Sequence, residues 1–111
     1  MDYKEAYSDL ARTHSALRRN TSEMMGKFHE VADEALKEKH LSTKIKELMA
    51  VGIAVSVRCE SCIMGYVRDA IKAGATLEEI GETVEVAILM GGGPSTAYGA
   101  KALSVAEYLT K

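Results

Sequence analysis

Leu48-Met49-Ala50-Val51-Gly52-Ile53-Ala54-Val55-Ser56-Val57 is apolar on nearly every side, and it runs directly into Arg58-Cys59-Glu60-Ser61-Cys62. A helix formed by this decapeptide has no stripe to offer to water, so it has to be covered all round. A chain of 111 residues builds one core but has difficulty surrounding a central helix by itself. Self-association is the simplest remedy, and the sequence predicts a homo-oligomer.

Outward from that stretch, apolar residues recur three and four apart, proline occurs once, and alternating β-branched runs are scarce. The pattern predicts an all-α protein, a helical bundle of about six helices. A polar amphipathic helix over about 3–19 carries Tyr7, Leu10, His14 and Leu17 at helical spacing. Asn20 or Thr21 caps a second helix, whose stripe is Met24, Phe28, Val31 and Ala35. Ser42 or Thr43 caps the third, which contains the apolar decapeptide. A fourth runs from Cys59 or Glu60 to about Ala73 and is closed by Gly74. Thr76-Leu77-Glu78-Glu79 is a capping box that opens a fifth, with Ile80, Val84, Ala87 and Ile88 facing inward. Gly91-Gly92-Gly93-Pro94 stops it and starts a sixth, with Tyr98, Ala102, Val105 and Leu109 on one face. We read residues 1–111 as one domain, with 1–40 as an N-terminal helical arm and 41–111 as the core.

Hydrophobic residues make up 47% of the chain and charged residues 27%, a globular composition. Fourteen Lys and Arg against sixteen Asp and Glu leave a net charge of −2, and no basic run is present, which argues against a nucleic-acid partner. No apolar run reaches the roughly 18 residues that span a bilayer, and Met1-Asp2-Tyr3-Lys4-Glu5 is unlike a secretory signal. The expected location is the cytoplasm, with no membrane partner.

In that reducing compartment two close thiols are redox-active or metal-bound rather than a permanent crosslink. Cys59 and Cys62 are the only cysteines. At positions i and i+3 of a first helical turn they share a face beside unpaired N–H groups, where thiolate is favoured. Thiolate is the nucleophile, and CxxC sites lower the ordinary cysteine pKa of about 8.5 substantially. Oxidation to a sulfenic acid, trapped by the neighbouring thiol, gives a disulfide cycle that needs no dissociable cofactor. The plainer alternatives are small buried apolar residues, or a structural metal site needing two more ligands from elsewhere.

Glu47 enters the apolar helix ahead of the pair. It is either a first-turn residue favoured by the helix dipole, beside Lys44 and Lys46, or a proton-handling carboxyl raised in pKa by burial. Arg58 either biases Cys59 towards thiolate or lies in solvent. His14, His29 and His40 share no ligand-like spacing, and Met24, Met25, Met49, Met64 and Met90 read as core filler.

Taken together, Leu41-Ser42-Thr43-Lys44-Ile45-Lys46-Glu47-Leu48, Cys59-Glu60-Ser61-Cys62, Ala73-Gly74-Ala75-Thr76-Leu77-Glu78-Glu79-Ile80 and Met90-Gly91-Gly92-Gly93-Pro94 resemble the carboxymuconolactone decarboxylase family, and within it the alkylhydroperoxidase D-like branch. The resemblance covers about Leu41 to Leu109. It implies an all-helical oligomer, a trimer or hexamer, that reduces hydroperoxides or exchanges disulfides with a peroxiredoxin or lipoyl-protein partner. It also implies that Glu47 belongs to a proton relay, that Cys62 attacks the peroxide, and that Cys59 donates a proton and resolves the sulfenic acid. Where the family pattern has histidine, four residues after the second cysteine, this chain has Tyr66. Tyrosine, with a pKa near 10, is a poor base at neutral pH. Tyr66 is therefore expected as a substitute relay residue in a slow peroxidase or one inclined to disulfide exchange. A lyase of the kind that names the family is the remaining alternative, since that chemistry does not depend on a CxxC pair.

Overall fold

The computed structural model describes residues 2–111, which form six α-helices and, among the described residues, no strand. The chain divides into two compact units, one ending at Glu38 and the other spanning Lys39–Lys111.

The first unit holds α1 (Tyr3–Asn20) and α2 (Ser22–Leu36). Asp2 caps α1 by accepting the Glu5 N–H at 3.1 Å, and Arg18 and Arg19 sit in the last turn, where cations favour the dipole. Thr21 occupies the cap position of α2, but its hydroxyl donates to Leu17 O at 2.6 Å and makes no side-chain cap. The expected cap is thus spent closing the preceding helix. No residue of α2 is buried, and its stripe of Met24, Phe28 and Val31 is more than half exposed.

The second unit holds α3 (Thr43–Ser56), α4 (Glu60–Lys72), α5 (Leu77–Gly91) and α6 (Gly93–Leu109). Ser42 caps α3 by accepting the Ile45 N–H at 3.1 Å. Val51, Val55, Ile63, Val67, Ile80 and Val105 are the large fully buried side chains, contributed by all four helices. Each contributes roughly 1.5–3 kcal/mol relative to exposure. Packing between α5 and α6 is close enough that a Cβ on Gly99 would meet Val84 Cγ1 at 2.5 Å, so α6 needs glycine there.

The capping box of α5 is complete: Thr76 Oγ1 accepts the Glu79 N–H, and Glu79 Oε1 accepts the Thr76 N–H. Lys44 on α3 adds a 2.9 Å ion pair to the same glutamate. Gly92, at φ +70, provides the break between α5 and α6.

α3 departs from the expectation of all-round burial. Glu47, Val51, Ala54 and Val55 are buried, but Ile45, Met49 and Ile53 on the opposite face are exposed in the single chain. Helices α4, α5 and α6 cover only one side of it.

Candidate active site

The connection from α3 to α4 takes only Val57, Arg58 and Cys59. The Cys59 N–H donates to Ala54 O at 3.1 Å and the Arg58 N–H to Val55 O at 3.3 Å, which is the Schellman pattern. That pattern needs a left-handed residue between the helix end and the closing N–H. Arg58 supplies it at φ +60. A non-glycine residue in this region is uncommon and strained. The turn brings the chain round so that Cys59 is the N-cap of α4, in extended conformation.

In place of the usual oxygen, the Cys59 sulfur accepts the Cys62 N–H at 3.2 Å. The Ser61 hydroxyl lies 3.6 Å from the same sulfur. Cys59 and Cys62 are joined as a disulfide, with their Cα atoms 5.2 Å apart, inside the ordinary range. Both cysteines are half-buried, whereas Arg58, Glu60 and Ser61 are exposed. The Cys59 sulfur is therefore anchored by backbone, in a turn whose neighbouring residues are exposed.

Glu47 lies away from this turn. It is 5% exposed, and its Oε2 is buried with no hydrogen-bond partner among the described residues. Burial raises its carboxyl pKa, and the negative charge of Asp69 raises it further. Such a group favours the protonated acid. Glu47 is nine residues from the end of α3 and Asp69 nine from the start of α4, so in these two packed helices the residues lie at about the same depth. At 1.5 Å of rise per residue, that depth is about 13 Å from the turn.

Tyr66 is half-buried on α4. Cys62, Tyr66 and Asp69 stand at i, i+4 and i+7, so one face of α4 leads from the disulfide past the tyrosine to the carboxyl pair. The structure thus joins Cys59 to Cys62 and puts Glu47 in the field of Asp69, whose carboxylate accepts from Arg68 Nε at 3.2 Å. It places Tyr66 between them along α4, and it makes no hydrogen bond from Glu47 or Tyr66 to a sulfur. Asp69 was missed in the sequence. Its i+7 spacing from Cys62 was a usable signal, though only the packing of α3 on α4 gives it meaning.

The three histidines are exposed, and His14 Nδ1 is engaged with Leu10 O at 3.0 Å. Among the described residues there is no group of three or more His, Cys, Asp and Glu side chains able to hold a metal ion. No helix among them is long and apolar enough to cross a membrane.

Comparison with known proteins agrees with this architecture. The fold superposes on a carboxymuconolactone decarboxylase family protein from Legionella pneumophila, solved in its apo form, with a TM-score of 0.89 and 38% identity over 94% of this chain and 93% of that one. A second solved member, from Thermotoga maritima, shares the fold at a TM-score of 0.81 and 24% identity, covering 92% and 90%. In sequence, a Cupriavidus necator protein without an assigned activity is 32% identical over 108 residues, 97% of this chain and 96% of its own length. A protein of the cox locus of Paracoccus denitrificans is 40% identical over 67 residues, 60% of each chain. Residues 22–105 match the sequence profile of the family itself, and this chain belongs to the carboxymuconolactone decarboxylase family.

Proposed function

We propose that this protein is a thiol-dependent oxidoreductase of the cytoplasm whose Cys59/Cys62 pair reduces a hydroperoxide, or the disulfide of a partner, and is itself re-reduced. The observation that carries the reading is the helix-capping disulfide, formed by the only two cysteines of the chain, both half-buried beside exposed Arg58, Glu60 and Ser61. In the hydroperoxide reaction one thiolate takes an oxygen and becomes a sulfenic acid, releasing an alcohol. The second thiol displaces water to form the disulfide. A reduced lipoyl-protein returns two electrons, its dithiol closing to a disulfide, and a peroxiredoxin is the partner whose own disulfide the pair reduces. Glu47 serves as the proton store, since its burial holds it towards the acid, and Tyr66 is the hydroxyl that stands between it and Cys62.

The test is peroxide consumption with dihydrolipoamide as reductant. Turnover by the native protein and loss of it in Cys62→Ser are expected; unchanged turnover in that variant sinks the proposal.

A homo-oligomer is part of the same reading. Ile45, Met49 and Ile53 of α3 and Val86 and Met90 of α5, all exposed in the single chain, line an open apolar cleft of about 440 Å³. Monomers rarely leave so large a contiguous apolar patch uncovered. Five large apolar side chains on two packed helices can form the centre of an interface to which each partner brings roughly 800 Å². A second copy of this chain is the occupant, because the central helix is apolar on the outward face too. Light scattering should give a multiple of the chain mass, reduced in Ile53→Glu with helicity retained. A native protein running at the mass of one chain refutes it.

A further inference from the structure

Two apolar faces of the single chain lie open, one in each compact unit. The cleft between α3 and α5 is the first. It is a hollow of about 440 Å³, and Ile45, Met49, Ile53, Val86 and Met90 on its walls are 43–80% exposed. Along α3 it runs from Ile45 to Ser56, about 16 Å at 1.5 Å of rise per residue.

The second face is on α2. Met24, Phe28, Val31 and Ala35 recur three and four apart, which puts them on one line of the helix, and all four are exposed. Met25, Ala32 and Leu36, on the adjoining side of α2, are half-buried. From Met24 to Ala35 the exposed line is also about 16 Å long. Outside α3 and α5, α2 is the one described helix with more than a single large aliphatic or phenyl side chain exposed.

Shape decides which of the two faces fills the cleft. Two copies meeting cleft to cleft would set hollow against hollow, and the walls of the space left between them would lack contact partners. A ridge fills a groove. The row of side chains along one helix is the form that packs into the groove between two others.

We propose that α2 of one copy seats its Met24, Phe28 and Val31 ridge in the α3/α5 cleft of a second copy, and that the exchange is reciprocal. The inference rests on the homo-oligomer reading and names the segment that closes the cleft. Area argues for reciprocity. Eight large side chains, three from the ridge and five from the cleft, each offer on the order of 100 Å². One such contact therefore gives each partner about half of the roughly 800 Å² that a stable interface needs. Two contacts between the same pair of chains supply the whole, and a two-fold axis makes them identical. Because Ser56 lines the cleft three residues before Cys59, one end of the seated helix lies beside the turn that carries the disulfide.

The experiment uses the full chain with Cys59→Ser and Cys62→Ser, so that the only thiols are those introduced. Chains carrying Phe28→Cys and chains carrying Met49→Cys are co-expressed and treated with a short bismaleimide. A covalent dimer holding one chain of each kind is expected in most of the protein, with little from either variant alone. Self-crosslinking of Met49→Cys means that clefts face each other and overturns the assignment. A double variant whose bridge closes within one chain also overturns it, since the ridge then fills its own cleft.

Light scattering separates this inference from the reading beneath it. Phe28→Glu lies on an exposed face and should lower the mass about twofold or more, as Ile53→Glu does, with helicity retained. If Ile53→Glu dissociates the protein and Phe28→Glu leaves it assembled, the homo-oligomer stands and α2 is not what fills the cleft. A native protein at the mass of one chain removes both.

Discussion

The two ends of α4 are built on the same plan from different residues. At its start, α3 closes in a Schellman turn through Arg58 and Cys59 caps the new helix; at its finish, α4 closes in a Schellman turn through Gly74 and Thr76 caps α5. The backbone bonds correspond one to one: Gly74 N–H to Ile71 O at 3.0 Å and Ala75 N–H to Ala70 O at 2.9 Å repeat those of Arg58 and Cys59. The second junction uses the residues that physics favours, glycine at positive φ and an oxygen cap with its reciprocal glutamate. The first uses a strained arginine and a weakly accepting sulfur. Local stability has been given up where the sulfurs are, which is the expected signature of a functional turn.

The contrast is broken most sharply by Cys59→Ser. Serine is the better cap, so α4 should hold or gain stability in thermal unfolding, while disulfide formation and dithiol-dependent turnover fall at least about a hundredfold. Loss of both stability and activity would mean that Cys59 is a structural residue after all. Gly74→Ala does the opposite. A Cβ there has room, its nearest neighbour being Lys44 Cδ at 4.0 Å, but φ +103 does not suit an L-residue. The expected cost is about 1–2 kcal/mol in denaturant unfolding, with the rate of disulfide reduction unchanged.

Two glutamates titrate in opposite senses, Glu79 at the second junction and Glu47 inside the packing of α3 on α4. Glu79 is held below its ordinary pKa, first by the Lys44 hydrogen bond and then by the Thr76 N–H. It supports the fold above its unfolded pKa, and that support is lost as pH falls through the lowered one. Glu47 is held above the usual 4.5 by burial and then by Asp69. Its neutral form favours the fold below 4.5, and that advantage is lost as pH rises through the raised value. Glu47→Gln should therefore raise stability at neutral pH by about 1 kcal/mol, with the gain shrinking towards acid. The same variant should slow turnover if Glu47 stores the proton. A variant that is more stable and equally active would leave Glu47 outside the chemistry.

How much of this was legible follows from range. The caps at Ser42 and Thr76, the stop at Gly74, and the Gly-Gly-Gly-Pro break at 91–94 are codes written within a few residues, and all appear where the sequence put them. The cysteine pair at the start of α4 was legible for the same reason. What the sequence hid is pairing across the chain. Lys44 meets Glu79 from 35 residues away, and Glu47 meets the field of Asp69 only because α3 lies along α4. Thr21 misled because one hydroxyl can close the helix behind it or cap the one ahead, and periodicity does not say which. The all-round apolar α3 predicted a need for cover but not which face would lack it within one chain.

The subtlest prediction concerns Arg58, where backbone and charge act together. Arg58→Gly relieves the left-handed strain, about 1–2 kcal/mol, but loosens the unfolded chain by about 0.4–1 kcal/mol, so the net gain should be only about 0.5 kcal/mol. The same change removes the cation next to Cys59. Arg58→Lys separates the two effects, keeping the charge and the strain. If the glycine variant is more stable and its Cys59 alkylates more slowly, while the lysine variant matches the native protein, the charge of Arg58 tunes the sulfur and its strained backbone is tolerated for that purpose. If both variants alkylate at the native rate, the charge of Arg58 does not tune the sulfur, and the first junction differs from the second in its cap and its strained backbone but not in its electrostatics.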